Sequence, residues 1–128
     1  MEDRRHVVSL RHIVMPNDTN PSGFLFGGVL LSWIDLSAAM VAEKHAKMDV
    51  AAVNMEEVSF KTAIKLGDHV ILNAKLVKVG RTSMRVQVDF YNENPKTNFI
   101  SEPNTVYLTF VGMRGGKPTQ VPPMPTNT

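Results

Sequence analysis

The sequence predicts an α+β domain in which one long helix packs on an antiparallel sheet. Three observations carry this. A nearly uncharged run of about five turns, "GVLLSWIDLSAAMVAEKHAK" over 28–47, has the length and spacing of a helix. Strand-like segments follow it at 50–60, 69–79, 83–91 and 104–113. The stretches between the later strands, "VGRTS" and "NENPKTNFISEPN", are rich in Gly, Asn and Pro and read as hairpin connections. At 128 residues the chain is long enough for one core, so a single domain over 1–128 is expected.

Taken in order, "VSLRHIVM" (8–15) reads as a first strand. "PNDTNPSGFLFGG" (16–28) is a loop, since Pro, Asn, Asp, Ser and Gly dominate it. The helix follows, and Glu43 lies four residues before Lys47, an order that favours its last turns. Along 69–79, Val70, Leu72, Ala74 and Leu76 share a face. Along 83–91, Met84, Val86, Val88 and Phe90 point one way and Ser83, Arg85, Gln87 and Asp89 the other. Val106, Leu108 and Phe110 repeat the period in the last strand. The core is expected over about 8–114, with 115–128 an extended tail whose prolines prevent regular structure.

Composition narrows the function classes. A 43% hydrophobic, 20% charged chain is that of a soluble globular protein. The absence of cysteine excludes disulfides, thiolate metal sites and cysteine nucleophiles. Lys and Arg are scattered rather than clustered, which argues against nucleic-acid binding and leaves room for a polyanionic small molecule. The apolar run is too short and too interrupted to insert in a membrane. "MEDRRHVVSL" lacks an apolar signal region, so a cytoplasmic location is expected. His6, His12, His45 and His69 have no metal-ligand spacing. His45, near the helix end, suits the dipole as a cation.

The helix raises the sharpest question. On a wheel, Leu30, Trp33, Ile34, Leu36, Met40 and Val41 form a bulky side. Ser32, Ala38, Ala39, Ala42 and Ala46 form a small-residue side that includes Asp35. A helix apolar nearly all round is covered all round. One sheet covers one side, so the other needs a second chain or a ligand. This predicts a homo-oligomer with the small-residue side next to the interface. Asp35 has no cation three or four residues away. It is either a buried structural carboxylate, bonded to backbone or a partner, or a general base or nucleophile with space around it. Gly27 and Gly28 begin the helix, where free N–H groups cap the turn or bind an anion or developing oxyanion. Gly80, Arg81, Thr82 and Ser83 form either an ordinary turn with a solvated arginine or a phosphate-binding tip.

Together these features resemble a known family. The pattern N-x-x-G-x-x-F-G-G over Asn20–Gly28, followed by an apolar helix bearing Asp35, resembles the hotdog-fold acyl-CoA thioesterases. Among them it is most similar to the bacterial short acyl-CoA hydrolases and brain-type acyl-CoA hydrolases. Phe60 followed by Gly67–Asp68, the "VGRTSM" hairpin and "GKPTQVPP" agree in order, so the resemblance covers roughly 8–123. The chain departs from it at Lys61–Thr62–Ala63, where many relatives carry Arg-Pro.

The resemblance implies a sheet wrapped around the helix, and dimers with a continuous sheet and two interfacial active sites, often assembled as hexamers (trimers of dimers). It implies hydrolysis of acyl-CoA to fatty acid and coenzyme A. Asp35 would be the base or nucleophile, Gly27 and Gly28 would stabilise the oxyanion, and Asn20 would orient water or substrate from the other subunit. Gly80, Arg81, Thr82 and Ser83, with Phe60 and Lys61, would bind coenzyme A. No metal and no cofactor is called for; coenzyme A enters as part of the substrate. Two other readings keep the fold: a dehydratase or hydratase, disfavoured because 16–28 holds no histidine, and a non-catalytic acyl-CoA binder, disfavoured because Asp35 and Asn20 are present.

Overall fold

A computed structural model describes residues 6–56, 58–59 and 63–125. Strand β1 (Val7–Ile13) leads through a short 3-10 turn, Pro16–Asp18, to helix α1 (Gly27–Ala46). Strands β2 (Asp49–Met55), β3 (His69–Val79), β4 (Ser83–Glu93), β5 (Asn104–Arg114) and the two-residue β6 (Lys117–Pro118) follow. The sheet runs β1-β3-β4-β5-β2, with every pairing antiparallel and β6 added beside β5. One face of this sheet receives α1, which touches all five long strands.

Alternation along the strands builds the core. On β4, Met84, Val86, Val88 and Phe90 are buried and the residues between them are half-exposed. On β5 the buried set is Val106, Leu108 and Phe110, and each faces its β4 counterpart across the ladder. The opposite face is polar. There Arg85 bonds Glu56 at 2.8 Å and lies over the Tyr107 ring. Strand β2 ends at Met55, short of the expected residue 60, and its ladder slips by one residue at Val53. Such a bulge bends an edge strand and interrupts its pairing.

Three expectations are corrected. First, the helix turns a different face to the sheet. Leu30, Ile34, Ala38, Val41, Ala42 and Ala46 are all buried by this chain's own sheet. Ala38, Ala42 and Ala46 therefore let the strands come close and are not available to an interface. Leu31, Leu36 and Met40 are left outside, with Leu36 55% exposed, so the uncovered side of α1 is apolar and bulky. Second, the helix-end position of His45 is buried, between His6 Nε2 at 3.2 Å and the Pro122 carbonyl at 2.7 Å. Third, the tail is built into the fold. Gly115 and Gly116 both take positive φ, the requirement of a tight two-residue hairpin turn. The chain doubles back, and Val121 is buried in the core.

Gly112 makes that return possible. A Cβ there would lie 2.6 Å from Val121 Cγ1, 3.0 Å from Met48 Sδ and 3.1 Å from the Thr119 carbonyl. Replacing Gly112 with Ala is expected to destabilise the fold by about 1–3 kcal/mol, as overpacking does, read as a lower midpoint in urea unfolding.

Candidate active site

Asp35 lies on the open flank of α1, half-exposed. It lines a groove of about 430 Å³ between the helix and edge strand β2. Leu31 and Ser32 share the helix wall, Ala52 to Met55 form the strand wall, and Leu108 closes the floor. The strand wall includes the bulge. The groove is thus mostly apolar with one carboxylate in it, and Ser32 turns its hydroxyl back to the Val29 carbonyl at 2.7 Å. An acyl chain or another apolar group fits such walls, with the carboxylate at its side.

The helix start lies elsewhere. Phe26 occupies the cap position without a side-chain cap, and the helical ladder begins with Leu30 N–H to the Phe26 carbonyl. The N–H groups of Gly27 and Gly28 precede that first bond, and no acidic side chain sits in the first turn. A Cβ at Gly28 would meet nothing within 4 Å, so a ligand could approach this backbone closely. The 1.5 Å rise per residue puts Gly28 and Asp35 about 10 Å apart along the axis. Reacting groups need to stand within roughly 3.5 Å. A single chain therefore does not bring Asp35 and its own Gly27 and Gly28 onto one reacting carbonyl.

Asn20 organises the loop ahead of the helix. Its Oδ1 accepts N–H groups from Ser22 at 3.0 Å and Phe24 at 3.1 Å. Gly23 takes φ 83° inside this turn and donates to the Asn20 carbonyl. The loop is pinned to the strand entry by Leu25 N–H to Ile64 and Leu66 N–H to Gly23. Asn20 is not among the residues lining the Asp35 groove.

The Gly80–Ser83 turn sits at the β3–β4 end, closed by Gly80 N–H to the Ser83 carbonyl at 2.8 Å. Gly80 and Arg81 are exposed, and Thr82 and Ser83 half-exposed. Phe60 and Lys61 lie outside the described residues. Asp68 is buried, and its Oδ2 accepts from Lys65 N–H and from Asn92 Nδ2, both at 3.0 Å. It borders a second hollow of about 360 Å³ with Asn92, Asn94 and Phe99. Spacing gave no sign of the Asp68–Asn92 contact, because the partners are joined only when β3 and β4 pair. Among the described residues no cluster of metal-ligating side chains occurs.

Comparison with known proteins bears on this geometry. Residues 22–98 match the model of the thioesterase superfamily. The chain belongs to that superfamily. This member is 37% identical to an uncharacterised acyl-CoA thioester hydrolase of Zymomonas mobilis, over 91% of this chain and 78% of that protein. It superposes on an apo-hexameric acyl-CoA thioesterase with TM-score 0.89 at 35% identity, covering 98% of this chain and 81% of that one. It is also similar to an acyl-CoA hydrolase of Staphylococcus aureus solved with butyryl coenzyme A and coenzyme A: TM-score 0.84, 34% identity, 95% and 76% covered. The thioesterase-superfamily chain thus has the hotdog fold, a sheet laid against one long helix. Among the described residues no helix is long and apolar enough to cross a membrane.

The loop geometry carries its own test. Asn20→Ala removes the acceptor of the Phe24 N–H, and one hydrogen bond is worth roughly 1 kcal/mol. Amide exchange at Phe24 should then quicken about fivefold, read by NMR.

Proposed function

We propose that this protein hydrolyses acyl-CoA thioesters to fatty acid and coenzyme A, with Asp35 activating the attack. The observation that carries the reading is a carboxylate set into an open apolar groove, with no cation bonded to it among the described residues. Membership of the thioesterase superfamily and the resemblance to an acyl-CoA hydrolase crystallised with coenzyme A support the substrate class.

The chemistry follows from the groups available. Asp35 takes a proton from water as the water oxygen attacks the thioester carbon, or attacks that carbon itself and forms an anhydride that water then opens. The carbonyl oxygen gains negative charge. N–H groups at Gly27 and Gly28, at the positive end of α1, stabilise it. The C–S bond breaks and the thiolate leaves. A thiol pKa of about 8.5 makes it a good leaving group without a strong acid to protonate it. No cofactor enters this scheme.

The helix rise supports a second half of this site drawn from another copy. Asp35 and the N–H groups that serve it belong to different copies, and Asn20 travels with the N–H groups. Strand β2 is the sheet edge beside the groove, and Val53 on it is 59% exposed. We infer pairing of two β2 edges into a dimer with a continuous sheet and two sites, three dimers forming a hexamer like the hexameric relative. This places the uncovered Leu31, Leu36 and Met40 flank against a second copy. The setting is cytoplasmic. Gly80, Arg81, Thr82 and Ser83, with Phe60 and Lys61, serve the nucleotide end of coenzyme A, and the Arg81 guanidinium pairs with phosphate.

Thiol release from a panel of acyl-CoAs tests the activity. Asp35→Ala is expected to lower kcat by at least about a hundredfold, the scale of a lost general base, in protein that keeps its oligomeric state; unchanged turnover would remove Asp35 from the mechanism. Arg81→Ala should raise KM for acyl-CoA more than it lowers kcat, since it removes binding remote from the reacting carbon. The reverse split would argue against the phosphate role.

A further inference from the structure

We infer that the segment Thr119–Pro122 is a positioning strap for substrate binding, holding the Gly80–Ser83 turn in place and tying it to the helix that carries Asp35. The inference rests on the reading of that turn as the coenzyme A site.

The contacts are specific. Val121 N–H donates to the Arg81 carbonyl at 2.9 Å. The neighbouring Thr82 carbonyl accepts from Gly112 N–H, also at 2.9 Å, and Thr119 N–H donates to the Gly112 carbonyl at 2.8 Å. Two successive carbonyls of the turn are thus held from outside it, one by β5 and one by the strap. A hairpin tip closed only by its own Gly80–Ser83 bond would open readily, because exposed turns have low local stability. Here the tip is exposed on its side-chain face and fixed on its backbone face.

The far end of the strap reaches α1. The Pro122 carbonyl has no proton to give, so His45 Nε2 carries the hydrogen in their 2.7 Å contact. His45 Nδ1 meets His6 Nε2 at 3.2 Å on its other side. The path from Arg81 to the helix is therefore two hydrogen bonds, Arg81 to Val121 and Pro122 to His45, joined by one peptide link. Val121 is buried between them against the bare Gly112 backbone, so the strap has one seat. An arginine on a turn held this way meets a phosphate with less freedom to lose, and binding strengthens without any contact from the strap itself.

Two substitutions act on the two bonds. Val121→Pro deletes the N–H to Arg81 and keeps an apolar ring in the seat. His45→Ala releases Pro122, while His45→Gln returns an N–H donor close to the Nε2 position. Steady-state thiol release with acyl-CoA is measured for each, with Arg81→Ala and Asp35→Ala alongside, in protein of unchanged circular dichroism and oligomeric state. The expected result is KM raised about fivefold in Val121→Pro and in His45→Ala, the loss of one hydrogen bond. The kcat stays within about twofold, and KM returns to the parent value in His45→Gln. A KM unchanged in both strap variants while Arg81→Ala raises it overturns the strap and leaves the coenzyme A turn standing. A KM unchanged in Arg81→Ala overturns both together, with hydrolysis still judged by Asp35→Ala.

Discussion

Everything in this molecule follows from burying a twenty-residue helix that has almost no polar side. The sheet buries one flank of α1 through Leu30, Ile34, Ala38, Val41 and Ala42, and the two alanines let five strands close on it. Burial at roughly 25 cal/mol per Å² makes that packing the main favourable term. The other flank keeps Leu31, Leu36 and Met40 outside. Asp35 sits at the border between the two flanks, beside apolar walls, with the sheet edge next to it. The groove is a product of incomplete coverage: a helix wrapped on all sides by its own chain would have none.

The strands were legible because their burial is one-sided. Residues 83–91 alternate without exception, and the structure buries the alternate set. The helix was legible in extent and wrong in facing. A wheel sorts residues by size and polarity, but with apolar residues all round it the facing is decided by the fit to the sheet. The sheet-facing set mixes Leu30, Ile34 and Val41 with Ala38 and Ala42, and leaves Leu36 and Met40 outside. Period alone does not contain that choice.

The tail shows a different kind of failure. Its prolines correctly exclude a helix, yet the Gly115–Gly116 pair after an alternating strand was a hairpin signal in plain view. What the sequence does not display is the seat at Gly112, which appears as a missing side chain and acquires meaning only when Val121 lies over it. Likewise Asn20 and Gly23 were legible as loop residues, but the use of Asn20 Oδ1 for two backbone N–H groups is a matter of geometry. Among the candidate residues, Asp35 and the Gly27–Gly28 pair were singled out by type and spacing. Their separation along one helix follows from its rise and argues for a site shared between copies.

The buried His45 imidazole receives His6 on one nitrogen and Pro122 on the other. Residues far apart in sequence thus meet at the last turn of α1. In space the described chain is nearly a closed loop, pinned at one ring. A permuted gene that joined these two stretches by a short linker, and opened instead in the exposed Pro95–Thr97 connection, would keep every ladder pairing and the helix seat intact. In this chain one imidazole joins the residue before β1 to the segment after β6.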